Sequence, residues 1–167
     1  MARLTTTLIV TAALVATAAC SPKPKQIPPA PGQDTTTGGG PVTEDSVAPG
    51  SRADFERSVT SNTINFALDK YDIDARAREI LDSQAAWLAK WPNVPVSLEG
   101  HCDERGTREY NLALGDRRAN AAKNYLVARG VNPGRISTIS YGKERPEIPH
   151  SDEQSYAQNR RGVTTVN

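Results

Sequence analysis

Residues 100–121, GHCDERGTREYNLALGDRRANA, gather most of the side chains in this chain that could do chemistry. At about 100° per residue, Leu112, Leu114, Ala119, Ala121, Ala122, Tyr125 and Leu126 form one broad apolar stripe, with Asp116, Asn120, Lys123 and Asn124 opposite. Asn111 and Arg118, seven positions apart, fall near the middle of that stripe, while Arg117 points to the polar side. An arginine aimed at the interior needs an acceptor, since leaving its charge unpaired costs several kcal/mol. Two readings of Arg118 are open. In one it pairs with Asp103 or a main-chain carbonyl and pins the loop to the helix. In the other, Asp103 and Arg118 are the poles of a clamp for a ligand carrying an ammonium and a carboxylate close together. Asp103 then takes the ammonium, the guanidinium takes the carboxylate in bidentate fashion, and the Asn111 amide orients the ligand.

The neighbouring residues argue against catalysis. His101 and Cys102 are adjacent, so on an extended strand they face opposite sides and make no thiol-imidazole dyad. The other histidine, His150, lies far along the chain in a loop. No catalytic residue, metal site or cofactor is expected, and Cys102 is read as a buried, inert thiol. Twenty basic and nineteen acidic side chains leave a net charge of +1, which argues against a nucleic-acid binder relying on phosphate neutralisation. The pairs Arg117-Arg118 and Arg160-Arg161 lack the interleaved aromatics such a surface would carry. Trp87 and Trp91 lie on an apolar helical stripe and are expected in the core.

The elements that must hold these residues follow from the period of the pattern. A strand is predicted over 63–66, with Ile64 and Phe66 on one face, followed by a polar loop. Asp74 caps a helix over 75–91, whose stripe runs through Ala77, Ile80, Leu81, Gln84, Trp87, Leu88 and Trp91 before Pro92 stops it. A strand over 94–100 alternates Val94, Val96 and Leu98 with polar residues, and Pro95 marks an edge or bulge at its start. A long helix over 107–129 ends at Gly130, a left-handed cap. A strand over 136–141, a short helix over 152–160 and a strand over 163–166 complete the chain. The order βαβαβ(α)β predicts an α/β two-layer sandwich with helices on one side of a small mixed sheet.

The N-terminus reads as an address. A positively charged start, an uncharged apolar run over 8–19 and the sequence Thr17-Ala18-Ala19-Cys20 resemble a bacterial lipoprotein signal, which predicts cleavage after residue 19 and lipidation of Cys20. The apolar run is shorter than the roughly 20 residues of a membrane-spanning helix. Several acyl chains, each methylene adding about 0.8 kcal/mol, hold such a protein stably. Ser21, rather than Asp, follows the cysteine, and by the rule for such signals this implies the outer membrane, with the domain in the periplasm. Residues 20–54 are read as the lipidated cysteine and a disordered linker rich in Pro, Gly and Thr, and 55–167 as the folded domain.

Four blocks in order, INFALDKYDI, EGHCDERGTREYNLALGDRRANAAKNYL, ISYGKERP and NRRG, resemble the OmpA-like peptidoglycan-binding domain family from about Asn62 to the C-terminus. The resemblance implies noncovalent binding of the meso-diaminopimelate of the peptidoglycan stem peptide, a ligand with the free zwitterionic end that the clamp requires. Asp103 matches the family aspartate on the ammonium, Arg118 the arginine on the carboxylate, and Asn111 a polar pocket residue. Phe66 and Asp69 match the pocket-lining loop after the first strand, and Leu114 is a further wall candidate on helical spacing. Cys102 stands where relatives carry a small residue, Leu68 replaces a second Phe, and Gly162 replaces an aliphatic residue. With the lipid signal, the resemblance implies a tether between outer membrane and cell wall serving envelope integrity and cell division. It also implies a protein partner, the periplasmic propeller TolB. The alternative is an adaptor that mainly docks TolB and binds the wall weakly.

Overall fold

Four short polar side chains start the four α-helices found among the described residues. Ser51 accepts a hydrogen bond from the Asp54 N–H (3.2 Å) and opens α1 (Arg52–Ser58). Asp74 accepts from Ala77 (2.7 Å) at the start of α2 (Ala75–Lys90), and Thr107 from Tyr110 (3.2 Å) at α3 (Arg108–Ala128). Asp152 accepts from Ser155 (2.8 Å) at α4 (Glu153–Asn159). Each cap satisfies a donor that the first helical turn would otherwise leave unpaired. Gly130, at φ 93°, follows α3 in the left-handed conformation anticipated for it. The structure is a computed structural model that describes residues 47–167. The anticipated signal segment 1–19, the lipidation site Cys20 and the linker as far as residue 46 lie outside the described residues.

The strands β1 (Thr63–Asn65), β2 (Val96–His101), β3 (Ile136–Gly142) and β4 (Arg161–Val166) form one sheet in the order β1-β4-β2-β3. β2 and β3 are parallel and joined through α3, whereas β4 runs antiparallel to both β1 and β2. The mixed sheet and the two layers agree with the sequence reading. Along β2, Val96 and Leu98 are buried while Ser97 and Glu99 are only half-buried, the alternation of a sheet covered on one face. α2 and α3 cover that face, and Ile64, Leu81, Leu88, Val96, Leu98, Leu126 and Ile136 make the core between the layers. Trp87 joins it as expected, edge-on to Phe55 with ring centroids 5.0 Å apart, and Trp91 packs against its border.

Several boundaries move. The anticipated linker extends to residue 54, but α1 already begins at Arg52 and buries Phe55. Asp54 ties this helix to the body by accepting from the Gly50 N–H (2.9 Å) and from Trp87 Nε1 (3.1 Å), so ordered structure starts ahead of residue 55. β2 begins at Val96 rather than Val94, because Pro95 has no N–H to give to a ladder, and it extends to His101. β4 begins at Arg161, pairing across β1 at Asn65. β1 ends at Asn65, and Phe66 continues only as a single bond, its N–H donating to the Arg160 carbonyl (2.8 Å).

One contact fixes where α3 sits. A methyl group on Gly100 of β2 would lie 1.8 Å from the Gly115 carbonyl oxygen, and one on Gly115 would lie 2.3 Å from Ser140 Oγ. Two glycines therefore let helix and sheet meet backbone to backbone. This close seat brings the buried face of α3, with Asn111, Leu114 and Arg118, over the end of β2.

Candidate functional site

A cleft of about 310 Å³ opens where the loop after β1, the loop after β2, the first half of α3 and the junction between α4 and β4 converge. Asp69, Asp103, Asn111, Leu114 and Arg118 all line it, so five of the six residues anticipated for a ligand share one pocket. Phe66 does not. It is 4 % exposed and belongs to the core, its ring 5.1 Å beneath the Arg118 guanidinium; Leu68, two residues on, takes the wall position. The reason is the strand period: Phe66 shares a face with Ile64, and that face is the core face.

Arg118 has no exposed surface. Nε donates to the Lys70 carbonyl (2.8 Å), Nη2 to Ala67 (3.1 Å), and Nη1 to His101 (2.7 Å) and to Cys102 Sγ (3.4 Å). It thus pins both loops to α3 through carbonyls and does not bond Asp103. A guanidinium has five N–H donors, and only one, on Nη2, lacks a partner among the described residues. A bidentate fork for an incoming carboxylate is therefore not on offer. Arg118 lines the cleft from beneath, with one N–H in reserve and a positive charge that no carboxylate hydrogen-bonds among the described residues. Burial first, with the charge of Arg160, lowers its pKa from the ordinary arginine value against the opposing pull of Asp103 and Asp69.

Asp103, 4 % exposed, is held by two other arginines. Oδ1 accepts from the Arg105 N–H (3.1 Å) and Nε (3.3 Å), and Oδ2 from Arg105 Nη2 (2.6 Å) and Arg160 Nη1 (3.2 Å). Burial pushes the carboxyl pKa up, but the bonds from Arg105 and Arg160 outweigh it and hold the group below the usual carboxylate range. Asp103 is therefore ionised at neutral pH. Asn111 spends both amide hydrogens on the Arg105 (2.7 Å) and Thr107 (3.0 Å) carbonyls, fixing the loop that carries Asp103, while its amide oxygen accepts nothing from the described residues. Asp69, at φ 54°, accepts from the Tyr110 hydroxyl (3.1 Å) across the mouth of the cleft.

Arg105, Arg160, Tyr110 and Leu68 were not singled out from the sequence as site residues. Arg160 lies in the NRRG block, and that block was the one signal that could have led to it. With Asp69 and Asp103 against Arg105, Arg118 and Arg160, both signs of charge line the cleft and the positive sign is in excess. Such a lining suits a zwitterion or an anion.

Cys102 is buried, and its thiol donates to the Asn111 carbonyl (3.4 Å). Burial pushes its pKa up against the pull of Arg118, which keeps it a neutral thiol as anticipated. His101 sits on the opposite side of β2, its ring 5.3 Å from that of Tyr141. Neither ring nitrogen is hydrogen-bonded among the described residues; Glu99 Oε2 stands 3.4 Å from Nε2 without the alignment of a bond. Burial first, then the charge of Arg161, lowers its pKa from 6.5 to about 4. Because the unfolded chain holds this proton more tightly, the contribution of neutral His101 to stability is complete above pH 6.5. It is lost as pH falls from there to about 4. The loss should reach about 3 kcal/mol. In denaturant melts the stability of the protein relative to His101→Phe should fall by about that amount between pH 7 and pH 4; parallel pH profiles would show that the imidazole does not titrate this way.

The OmpA family model matches residues 65–160, more than half of the chain, and the chain belongs to the OmpA family. Among its relatives, a peptidoglycan-associated lipoprotein of Rhizobium meliloti is 53 % identical over 72 % of this chain and 68 % of its own length. One from Brucella melitensis is 46 % identical over 92 % of this chain and 86 % of its own. The crystal structure of the peptidoglycan-associated lipoprotein from Burkholderia pseudomallei superposes with a TM-score of 0.64 at 35 % identity, covering 68 % of this chain and all of that one. The C-terminal domain of Helicobacter pylori MotB shares the fold, with a TM-score of 0.59 at 22 % identity over 63 % of this chain and 83 % of that one.

Proposed function

We propose that this chain is a lipid-anchored protein of the bacterial cell envelope whose domain binds peptidoglycan noncovalently. It is a binding module rather than an enzyme. The cleft receives the zwitterionic end of meso-diaminopimelate in the stem peptide, its carboxylate towards Arg118 and its ammonium towards Asp103. The observation that carries this reading is a fully buried guanidinium, lining the cleft, that hydrogen-bonds carbonyls and a thiol but no carboxylate among the described residues. The names of the relatives, peptidoglycan-associated lipoproteins, support it. On this reading Cys20 carries the lipid in the outer membrane, and the chain between Cys20 and α1 lets the domain reach the wall. The tether then forms part of the Tol-Pal system, with TolB as protein partner.

A second reading, TolB docking as the main task, is favoured by the exposed side chains Leu68, Tyr71 and Tyr110 on the loop after β1 and the start of α3. Co-sedimentation of the full chain with purified sacculi separates the two. Binding that is reversed by a free diaminopimelate peptide and weakened at least about tenfold by Asp103→Asn is expected. No co-sedimentation would remove the wall-binding reading and leave the adaptor. Undiminished binding by Asp103→Asn would remove only the assigned ammonium partner, and release of new muropeptides would point to an enzyme.

A further inference from the structure

The carboxylate assigned to the ligand's ammonium is already occupied. A carboxylate offers about four lone-pair directions, and four donors point at Asp103: the Arg105 main-chain N–H, Arg105 Nε and Nη2, and Arg160 Nη1. An ammonium cannot join this arrangement without removing a donor. The two guanidiniums differ in how readily they could leave. Arg160 is 9 % exposed at its side chain, and its Nε also donates to the Phe66 carbonyl (3.2 Å) in the interior. Arg105 is 38 % exposed and has partners outside the cleft: Nη1 donates to Glu153 Oε2 (3.2 Å), and the guanidinium stacks 4.5 Å above the Tyr156 ring. Glu153 is itself 66 % exposed, and its Oε1 accepts from Arg160 Nη1 (3.0 Å), so it is held beside the cleft as a fixed partner for Arg105. Released from Asp103, the Arg105 side chain would therefore keep an ion pair and an aromatic face, both on α4.

Resting on the binding reading above, we propose that the Arg105 side chain is a removable internal occupant of the cation subsite. It stands in for the ligand's ammonium in the empty cleft and swings towards Glu153 and Tyr156 when a ligand arrives. The empty site is thus kept charge-balanced and dry at Asp103, and affinity is reduced by whatever it takes to displace Arg105. The Arg105 main-chain N–H stays on Asp103 Oδ1 throughout, so the carboxylate keeps its orientation while the side chain exchanges. Arg105 is on this account a specificity residue. Only a ligand group that is itself cationic and can replace a guanidinium displaces it; a neutral group gains nothing by approaching.

The test is titration of the full chain, in detergent, with a stem tripeptide ending in meso-diaminopimelate. Arg105→Ala and Arg105→Gln are each expected to bind it about fivefold more tightly than the unaltered protein, the scale of a partly exposed ion pair. In the unaltered protein the Arg105 Nε–H resonance should be protected from solvent exchange when the cleft is empty and lose that protection at saturation. Equal or weaker binding by both variants, or protection that survives saturation, would overturn the exchange while leaving the pocket reading intact, since the unaltered protein still binds. Failure of all three proteins to bind the tripeptide would remove the pocket reading and the exchange with it.

Discussion

Gly100→Ala should cost the domain about 3 kcal/mol or more and abolish binding in the cleft. Overpacking a core by a methyl group costs typically 1–3 kcal/mol when side chains can yield. Here the obstacle is main chain: the added carbon would lie 1.8 Å from the Gly115 carbonyl oxygen and 2.5 Å from its carbonyl carbon. α3 would have to lift off β2, carrying Asn111, Leu114 and Arg118 away from the loops they serve. Urea denaturation reads the stability, and a variant within about 1 kcal/mol of the unaltered protein would show that the two backbones do not meet so closely.

Arg118→Ala has the second large effect, on stability as well as on binding. The guanidinium bonds the carbonyls of Ala67, Lys70 and His101; its removal strands the His101 acceptor in the interior and unties the exposed loop after β1, where the Ala67 carbonyl keeps the Lys70 N–H (3.1 Å). At about 1–3 kcal/mol for the stranded His101 carbonyl, with the cavity left by a fully buried side chain added, a loss of about 2–4 kcal/mol is expected. Arg118→Lys should recover only part of it, because an ammonium on a single point cannot span three carbonyls that a planar fork reaches together. Binding should fall at least about a hundredfold in both variants, measured at a denaturant-free temperature where each is still folded. A lysine variant that binds normally would show that only charge matters at this position.

The inward arginine was legible because α3 keeps a clear period: Asn111, Leu114, Arg118, Ala122 and Leu126 are all buried on one side, and no charge belongs there without a reason. Its acceptors were legible only as alternatives, since pattern along one helix cannot say which carbonyl of a loop 48 residues away will meet it. The Arg160 bond to Asp103 was illegible for the same cause, since it spans 57 positions; Arg105 is only two positions from Asp103, and there charge alone does not say that the side chain folds back on its neighbour. Phe66 was assigned to the cleft by resemblance although its own alternation with Ile64 placed it in the core, and the alternation prevailed. α1, which straddles the expected boundary at residue 55, was not read as a helix because its seven residues bury one apolar side chain, Phe55, too few to set a helical period. The insertion of β4 between β1 and β2 follows from long-range pairing that strand patterns do not encode.

β2 ends directly at the cleft, and it lies inside the sheet, bonded to β3 on one side and to β4 on the other. A pull on a molecule held at Asp103, as proposed, would therefore enter the fold at the end of a strand with no free edge. Such a strand cannot be peeled away one bond at a time. It yields only when two ladders slide together, so the domain is built to resist force where it holds on, and a failing attachment should let go of its ligand before it unravels.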